Sequence, residues 1–416
     1  VLYVPNLEKA LDTIVPFFYD YPARAMRVVG ITGTNGKTTT SYLVRAILRH
    51  AGHRVGLIGT IQAMIEDEVL PTSNTTPDII VLQQMLAEMR TRGMDTVVME
   101  VSSHALALGR VAGIEFDTAV FTNLTQDHLD FHKTMENYAR AKAHLFELVS
   151  APGAKEGKTA VLNADDAASE TMRAYTRCPI ITYGVDHPAD LTAQDVQLAC
   201  DGMELTLMHG GKRLFHLHTG ITGLFNVHNV LAAVGASLAE HVEAADISAA
   251  LTAFTGVPGR FELMREGQDF AVIVDYAHTP DGMENVLRTA RAVTKGHIIA
   301  VFGCGGDRDR TKRPIMGRIG AEMADIAILT SDNPRTEDPT AIVDEVERGV
   351  LPVIGDKPYE KIVDRRTAIF HAIGRAQAGD TVVILGKGHE TYQILKDGTI
   401  HFDDREQARE AIRSRA

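Results

Sequence analysis

The residues from Val28 to Thr40 read VVGITGTNGKTTT, and their types and spacing suit the capture of a polyphosphate. Gly33 and Gly36 let the backbone turn its N–H groups toward an anion across Thr34 and Asn35. Lys37 can reach terminal phosphates, and the hydroxyl of Thr38, followed by Thr39, is placed to bind Mg²⁺. The spacing is Gly-x-x-Gly-Lys-Thr-Thr, a compact variant, because the longer Gly-x-x-x-x-Gly-Lys signature needs glycine where Ile31 stands. Gly-Lys-Thr alone recurs by chance in unrelated proteins. With an apolar strand before it and a helix after it, the triplet reads as a phosphate-binding loop. The chain is expected to use ATP or GTP.

Further clusters follow. Thr96 to Val101 (TVVMEV) is an apolar stretch that delivers Glu100 near its end, ahead of Ser102-Ser103-His104. An acid at that place, opposite a phosphate loop, holds a nucleotide-bound Mg²⁺; the bland alternative is an acid that closes a strand in solvent. Thr122 to His132 (TNLTQDHLDFH) sets Asp127, His128, Asp130 and His132 close together, which suits a second divalent ion or the orientation of one. His128 is the ligand candidate. His132 is open between that part and a structural or capping one, and Asp127 and Asp130 can equally cap the next helix. Later, four polar turns carry chemistry: DYAHTP from Asp275, GCGGDRDR from Gly303, SDNPR from Ser331 and GKGHE from Gly386.

The elements that must position these groups are legible as alternating patterns. Val28, Val29 and Ile31 form a short buried strand; Tyr42, Leu43, Ala46 and Ile47 then recur at helical spacing, and Gly52 stops that helix. Residues 26–150 keep the strand–helix rhythm of a mostly parallel α/β sheet. Met203, Leu205 and Leu207 alternate before Gly210-Gly211 and Leu214 to Leu217, which predicts an antiparallel hairpin inside or beside that sheet. A helix is expected from near Asn226. The Gly256-Val257-Pro258-Gly259 run marks a boundary and a hinge. Beyond it a second rhythm predicts strands over 270–274, 298–302, 326–329 and 381–385, with helices over 280–293 and 366–377. Each of these strands ends in one of the four polar turns, so all four turns can line one cleft at the carboxyl ends of a sheet. The expected fold is therefore α/β: a central P-loop ATPase domain over 26–257, mostly parallel with an added hairpin, then a Rossmann-like α/β domain over 258–416.

Composition narrows the field. A chain of 416 residues has room for two or three domains, and its net charge of −12 argues against a general nucleic-acid binder. No apolar run approaches the roughly 20 residues of a membrane span, and no secretory signal is visible. Three scattered cysteines (Cys178, Cys200, Cys304) offer neither a disulfide framework nor a zinc pattern, so a reducing cytoplasm is expected.

The loop Gly33 to Thr39, the Glu100-Val101-Ser102-Ser103-His104 strand end, and Asn123 with Asp127-His128 resemble the ATP-dependent Mur ligases. Asn226 with Asn229, Pro258-Gly259-Arg260 and the tail continue the likeness over nearly the whole chain. The resemblance implies that ATP phosphorylates the side-chain carboxylate of a D-glutamate. An incoming amine then attacks the acyl phosphate through a tetrahedral intermediate. It implies ATP bound by Gly33 to Thr39, Asn229 and Arg260, with Asp275 to His278 also touching ATP or His278 simply packed in the core. It implies Mg²⁺ on Thr38, Glu100, His128 and Lys142, the lysine carrying a CO₂-derived carbamate, and catalytic parts for Lys37, Glu100, His128 and Lys142. No Ser-His-Asp nucleophile is needed, so Ser102 and Ser103 beside His104 are not read as a hydrolase.

Within the resemblance, Ser73 to Pro77 (SNTTP) and Asp332 to Arg335 (DNPR) imply joining of meso-2,6-diaminopimelate to UDP-N-acetylmuramoyl-L-Ala-D-Glu. Asn74, Thr75, Thr76, Ser102 and Arg110 would hold the muramoyl-dipeptide, although Thr75-Thr76-Pro77 also reads as a helix start. Leu108 stands where relatives carry a glutamine, which puts one substrate contact in question. Arg335 would take the far carboxylate of the diamino acid bidentately, with Arg308, Asp332, Asn333, Pro334, Gly386 and Glu390 holding the rest. The alternatives are an L-lysine-adding relative, a folylpolyglutamate-type ligase, or a non-catalytic ATP binder. Neither nucleic acid nor membrane is an expected partner, and a monomer is expected. Mur ligases usually open with a UDP-binding domain, and residues 1–25 resemble its end, whether the rest is cut away or dispensed with.

Overall fold

The structure, a computed structural model, describes residues 3–70, 72 and 74–415. The chain divides into two compact units. The first comprises residues up to 197 with 204–220 and 224–254; the second comprises 198–203, 221–223 and everything from Thr255 on. No helix among the described residues is long and apolar enough to cross a membrane.

An eleven-stranded sheet organises the first unit. Its strands are β1 (Arg27–Thr32), β2 (Val55–Ile58), β3 (Ala63–Ile65), β4 (Glu68–Leu70), β5 (Thr96–Glu100), β6 (Thr118–Phe121), β7 (Thr159–Asn163), β8 (Ile180–Gly184), β9 (Leu191–Ala199), β10 (Gly202–His209) and β11 (Lys212–Thr219). They lie in the order β11-β10-β9-β8-β7-β6-β1-β5-β2-β3-β4. The middle is parallel, from β8 across β1 to β2, and β3 and β4 turn back antiparallel at one edge. The predicted hairpin is β10–β11, at the other edge of the same sheet. Central strands read as unbroken apolar runs because helices cover both faces: Val28, Val29 and Ile31 are fully buried, as are Val97, Val98 and Met99.

The covering helices are α1 (Leu7–Phe18), α2 (Lys37–His50), α3 (Ile79–Thr91), α4 (Ser103–Ala107), α5 (Leu129–His132), α6 (Met135–Ser150), α7 (Ser169–Tyr175), α8 (Leu224–Ala239) and α9 (Ala244–Thr252). The apolar stripe of α2, Leu43, Val44, Ile47 and Leu48, is buried as its spacing requires. The expected helix start at Thr75-Thr76 is corrected: Asp78 caps α3, accepting from the N–H groups of Ile80 and Val81 at 3.1 and 3.2 Å. A carboxylate two residues beyond the threonines satisfies the orphan donors, and that frees Thr75 and Thr76 for other contacts.

The second unit carries β12 (Glu262–Leu263), β13 (Ala271–Asp275), β14 (Ile298–Phe302), β15 (Ile326–Leu329), β16 (Tyr359–Lys361) and β17 (Thr381–Leu385), with a separate hairpin of β18 (Tyr392–Leu395) and β19 (Gly398–His401). Its sheet order is β12-β13-β17-β14-β15-β16, parallel except for β12. Helices α10 (Pro280–Val293), α11 (Lys312–Met323), α12 (Pro339–Val350), α13 (Arg365–Arg375) and α14 (Asp404–Arg415) flank it. Because β13, β17, β14 and β15 run parallel side by side, the four polar turns do emerge along one edge of this sheet.

Candidate active site

The order β6-β1-β5 sets three strand ends next to one another, and the phosphate loop leaves the central one. Gly33 has φ +153° and sits so close to Thr122 that a Cβ would collide with its hydroxyl. Gly36, at φ +85°, caps α2 in a left-handed conformation. The loop is clamped from the β6 end. Asn35 N–H donates to Asn123 Oδ1 at 2.8 Å, Thr122 Oγ1 donates to Asn35 O at 2.6 Å, and Thr34 N–H donates to Asn123 O at 2.8 Å. Thr34 Oγ1 also accepts from Thr125 N–H at 3.0 Å and lies 3.2 Å from the Tyr138 hydroxyl. Asn229, on α8, packs its Oδ1 against Gly36 and accepts from Thr40 Oγ1 at 3.4 Å. Asn229 thus supports the loop from below.

Lys37 folds over the loop, its Nζ donating to Gly33 O at 2.9 Å and Thr34 O at 2.8 Å. Lys142, from α6, donates to the same Gly33 O at 2.7 Å and lies over the Tyr138 ring at 4.3 Å. A lysine on a helix ordinarily trails in solvent, yet this one is 1% exposed. Burial first, then the neighbouring Lys37 charge, pushes its ammonium well below the ordinary lysine value.

Glu100 is fully buried at the end of β5 and is held by three donors. Thr60 N–H donates to Oε1 at 2.9 Å, while Thr60 Oγ1 and Thr38 Oγ1 donate to Oε2 at 2.9 and 3.1 Å. This is no acid closing a strand in solvent. Among the described residues no group of three or more His, Cys, Asp or Glu is placed to hold a metal. Thr38 and Glu100 supply hard oxygen donors side by side, a set that fits Mg²⁺ when phosphate oxygens complete the shell.

His128 takes a left-handed backbone (φ 55°) at the start of α5, half-exposed, with Nε2 at 3.4 Å from Asp127 Oδ2. Burial lowers its pKa, helped by His104, Lys37 and Lys142 and opposed by Asp127, which favours the neutral, ligating imidazole. His132 resolves to its structural part: it is buried, with Nε2 at 2.9 Å from Ser103 Oγ, and burial pushes it down to about 4. The capping expectation for Asp127 and Asp130 is likewise corrected. Neither side chain caps α5, and Thr134 caps α6.

The dipeptide candidates divide. Thr76 is fully buried: its Oγ1 donates to Glu100 O at 2.8 Å and accepts from Ser102 N–H at 3.0 Å, so it clamps the end of β5. Ser102 caps α4 through a 3.2 Å bond from Ala105 N–H, and Arg110 Nη1 donates to Thr76 O at 3.1 Å. Asn74 is exposed, and half-buried Thr75 places Oγ1 3.0 Å from Thr60 Oγ1. Ser73 lies outside the described residues. Leu108 is 50% exposed.

In the second unit, Asn333 is buried at the end of β15. Its Nδ2 donates to Glu390 Oε2 at 2.9 Å, and its Oδ1 accepts from Ile394 N–H at 2.9 Å and Lys387 Nζ at 3.2 Å. Arg335 stands in the left-handed region (φ 53°) beside the buried Pro334. Its N–H donates to Ile394 O at 3.0 Å, and its Nη1 donates to Gly306 O at 2.8 Å and Asn333 O at 3.4 Å. Nε and Nη2 are left without partners among the described residues. Arg308 is exposed and shares with Arg335 the approach to Gly305. Asp332 accepts from Asn333 N–H at 2.6 Å and faces Gly386, where a Cβ would meet Oδ2 at 2.5 Å. Arg260 stacks at 4.5 Å on the Tyr276 ring. His278 is exposed, with Nδ1 2.9 Å from Tyr276 O, so the packed-core alternative is corrected.

Sequence reasoning passed over several supports. Thr60 and Tyr138 carry no motif. Lys387, fully buried 3.0 Å from Glu390 Oε2, lay unread inside GKGHE. Arg365 and Asp404 form a fully buried pair at 2.7 and 2.8 Å, and Arg365 also donates to Ser331 O and Leu385 O at 3.2 and 2.9 Å. That guanidinium ties the ends of β15 and β17 together.

Residues 31–237 match the Mur ligase middle domain, and residues 259–388 match the Mur ligase, glutamate ligase domain. The chain belongs to the Mur ligase family. This Mur ligase is 49% identical over 416 residues to a Bacillus cereus protein named UDP-N-acetylmuramoyl-L-alanyl-D-glutamate–2,6-diaminopimelate ligase, covering all of this chain and 84% of that one. A Geobacillus thermodenitrificans protein of the same name is 49% identical over 418 residues, again covering 100% and 84%. A solved structure of an enzyme of that name superposes with a TM-score of 0.69 at 35% identity, over 97% of this chain and 83% of the other. Folylpolyglutamate synthase from Mycobacterium tuberculosis shares the fold, with a TM-score of 0.76 at 19% identity over 93% of each chain.

Proposed function

We propose that this Mur ligase joins meso-2,6-diaminopimelate to the D-glutamate of UDP-N-acetylmuramoyl-L-Ala-D-Glu, with ATP cleaved to ADP and phosphate, in the bacterial cytoplasm. The observation that carries the choice of amino acid is the fixed Arg335 side chain, held by Gly306 O and Asn333 O with Nε and Nη2 still available. A carboxylate on the far end of a diamino acid matches that fork, and lysine has none. The cluster of buried Asn333 and Lys387 with half-buried Glu390 suits the ammonium and carboxylate of the near end.

In the first unit, the reading gives the phosphate-loop N–H groups and Lys37 the nucleotide's phosphates. The D-glutamate carboxylate attacks the terminal phosphorus, ADP leaves, and the acyl phosphate forms. The amine of the diamino acid then adds to the acyl carbon, phosphate departs, and the amide remains. Both partners of the first step are anions, so positioning and charge neutralisation by Lys37 carry much of the rate. Mg²⁺, held by Thr38, Glu100, His128 and a modified Lys142, would neutralise charge on the phosphate oxygens.

The modification is a carbamate. A lysine attacks CO₂ only as the free amine, and the low pKa of buried Lys142 supplies that form. The new N–C bond leaves one N–H, which can still donate to Gly33 O, and one proton is released. The carboxylate so gained supports a metal set otherwise short of anionic ligands.

The test is phosphate release with ATP, Mg²⁺ and the UDP-muramoyl-dipeptide, comparing meso-diaminopimelate, L-lysine and L-glutamate. Turnover with diaminopimelate at least about 30-fold above that with lysine is expected. Equal turnover with lysine overturns the part given to Arg335, and turnover with glutamate above both overturns the substrate reading.

A further inference from the structure

We infer that Thr60 is a positioning residue that joins the nucleotide side of the site to the peptidyl-substrate side, through a hydroxyl relay Thr75–Thr60–Glu100. The inference rests on the ligase reading above. Thr60 lies in the turn after β2, Thr75 in the segment before α3 and Glu100 at the end of β5, so three separate elements meet at one hydroxyl.

Proton counting fixes the direction of the relay. A hydroxyl has a single hydrogen to donate. Thr60 Oγ1 lies 2.9 Å from Glu100 Oε2 and 3.0 Å from Thr75 Oγ1. Glu100 Oε2 accepts from Thr60 as it does from Thr38, so the Thr60 hydrogen goes to Glu100. Thr60 must then accept from Thr75, and the hydrogen of Thr75 is committed inward. Outward, Thr75 presents lone pairs alone. The ligand group that meets Thr75 is therefore a donor, such as a peptide N–H, and not a carboxylate oxygen. The neighbouring Thr76 hydroxyl is also spoken for, between Glu100 O and Ser102 N–H.

The same carboxylate oxygen accepts from Thr38, at the start of α2 on the phosphate loop. Whatever orients Glu100 from the nucleotide side thereby sets the Thr60 hydroxyl, and through it Thr75. Binding on either side improves the geometry on the other, and such coupling is reciprocal. Thr60 N–H holds Oε1 at 2.9 Å independently of the side chain, so removing the hydroxyl leaves Glu100 anchored while the relay is cut.

The test uses the full chain and the near-isosteric Thr60→Val. Turnover of the unaltered enzyme comes first and judges the ligase reading alone, because the dialysis below needs no turnover and judges the relay in either case. In an active enzyme, Thr60→Val is expected to raise KM for the UDP-muramoyl-dipeptide about 10- to 100-fold, with kcat for ATP cleavage changed much less. Equilibrium dialysis of labelled dipeptide is the second readout. A non-hydrolysable ATP analogue with Mg²⁺ tightens dipeptide binding in the parent, and the valine variant loses that tightening. Thr60→Ser restores both. An unchanged KM, retained tightening, or a serine variant as poor as valine overturns the relay. If Thr60→Val does not fold, Thr75→Val cuts the relay from its other end, and retained tightening there overturns it equally.

Discussion

Replacing Arg335 by alanine separates the two substrates that the site must tell apart. Nη1 is occupied by Gly306 O and Asn333 O, so the guanidinium is already in place before any ligand arrives. Nε and Nη2 can each donate to one oxygen of a carboxylate. A hydrogen bond to a charged group contributes about 1.5–3 kcal/mol, and the half-buried setting favours the lower end. Two such bonds, discounted for solvent, amount to about 2–4 kcal/mol, which is about 30- to 700-fold in kcat/KM. Arg335→Ala should therefore lose that factor with meso-diaminopimelate and change by less than about threefold with L-lysine. Arg335→Lys keeps a point charge but not the fork, and should fall between the two. The backbone stays at φ 53° in both variants, so its strain is common to all three proteins. The assay is initial-rate phosphate release over a range of each amino acid. An equal loss with both amino acids would mean that Arg335 only braces the loop, and no loss would remove it from substrate recognition.

Three further outcomes are expected. Lys142→Met should abolish turnover yet raise the melting temperature at pH 7 in CO₂-free buffer. The folded-state pKa is depressed, so the unfolded chain binds the proton more readily below about 10.5 and stability falls as pH drops through that window; a normal turnover refutes the carbamate. His132, pushed down to about 4, stays neutral in the folded state while the unfolded chain protonates from about 6.5 downward, so stability should fall between those values and His132→Gln should flatten the loss in urea titrations. Arg365→Met strands Asp404 in the core and should cost about 3–5 kcal/mol in denaturant unfolding, whereas adding Asp404→Leu should recover most of it.

The parts of the fold written in short-range patterns were open to reading. The strand–glycine–lysine–helix order around Gly33 and the period-2 run before Gly210 each depend on neighbours in sequence, and both emerge as expected. The short strands β3, β4 and β16 escaped notice because three residues are too few for a period to declare itself. The burial of Lys142 is invisible for a different reason. Its neighbours in α6 say helix, and only the meeting of that helix with Gly33, over a hundred positions away, makes the amine dry. Thr60 and Tyr138 are of the same kind, ordinary residue types whose work depends on what the fold brings to them. Thr76 shows the converse: its place in a recognisable run suggested a ligand contact, while the folded chain spends its hydroxyl on the end of β5.

The placement of β1 between β5 and β6 has a consequence for how this protein acquires activity. Its neighbours in the sheet come roughly seventy and ninety residues later in the chain. The loop after β1 takes its shape from Thr122, Asn123 and Thr125, and Thr38 meets Glu100 only once β5 is seated. A nascent or partly refolded chain that has made every local helix still lacks a phosphate site. Nucleotide binding should consequently appear late and in a single phase with the closing of the central strands, which makes it a reporter of long-range assembly rather than of secondary structure.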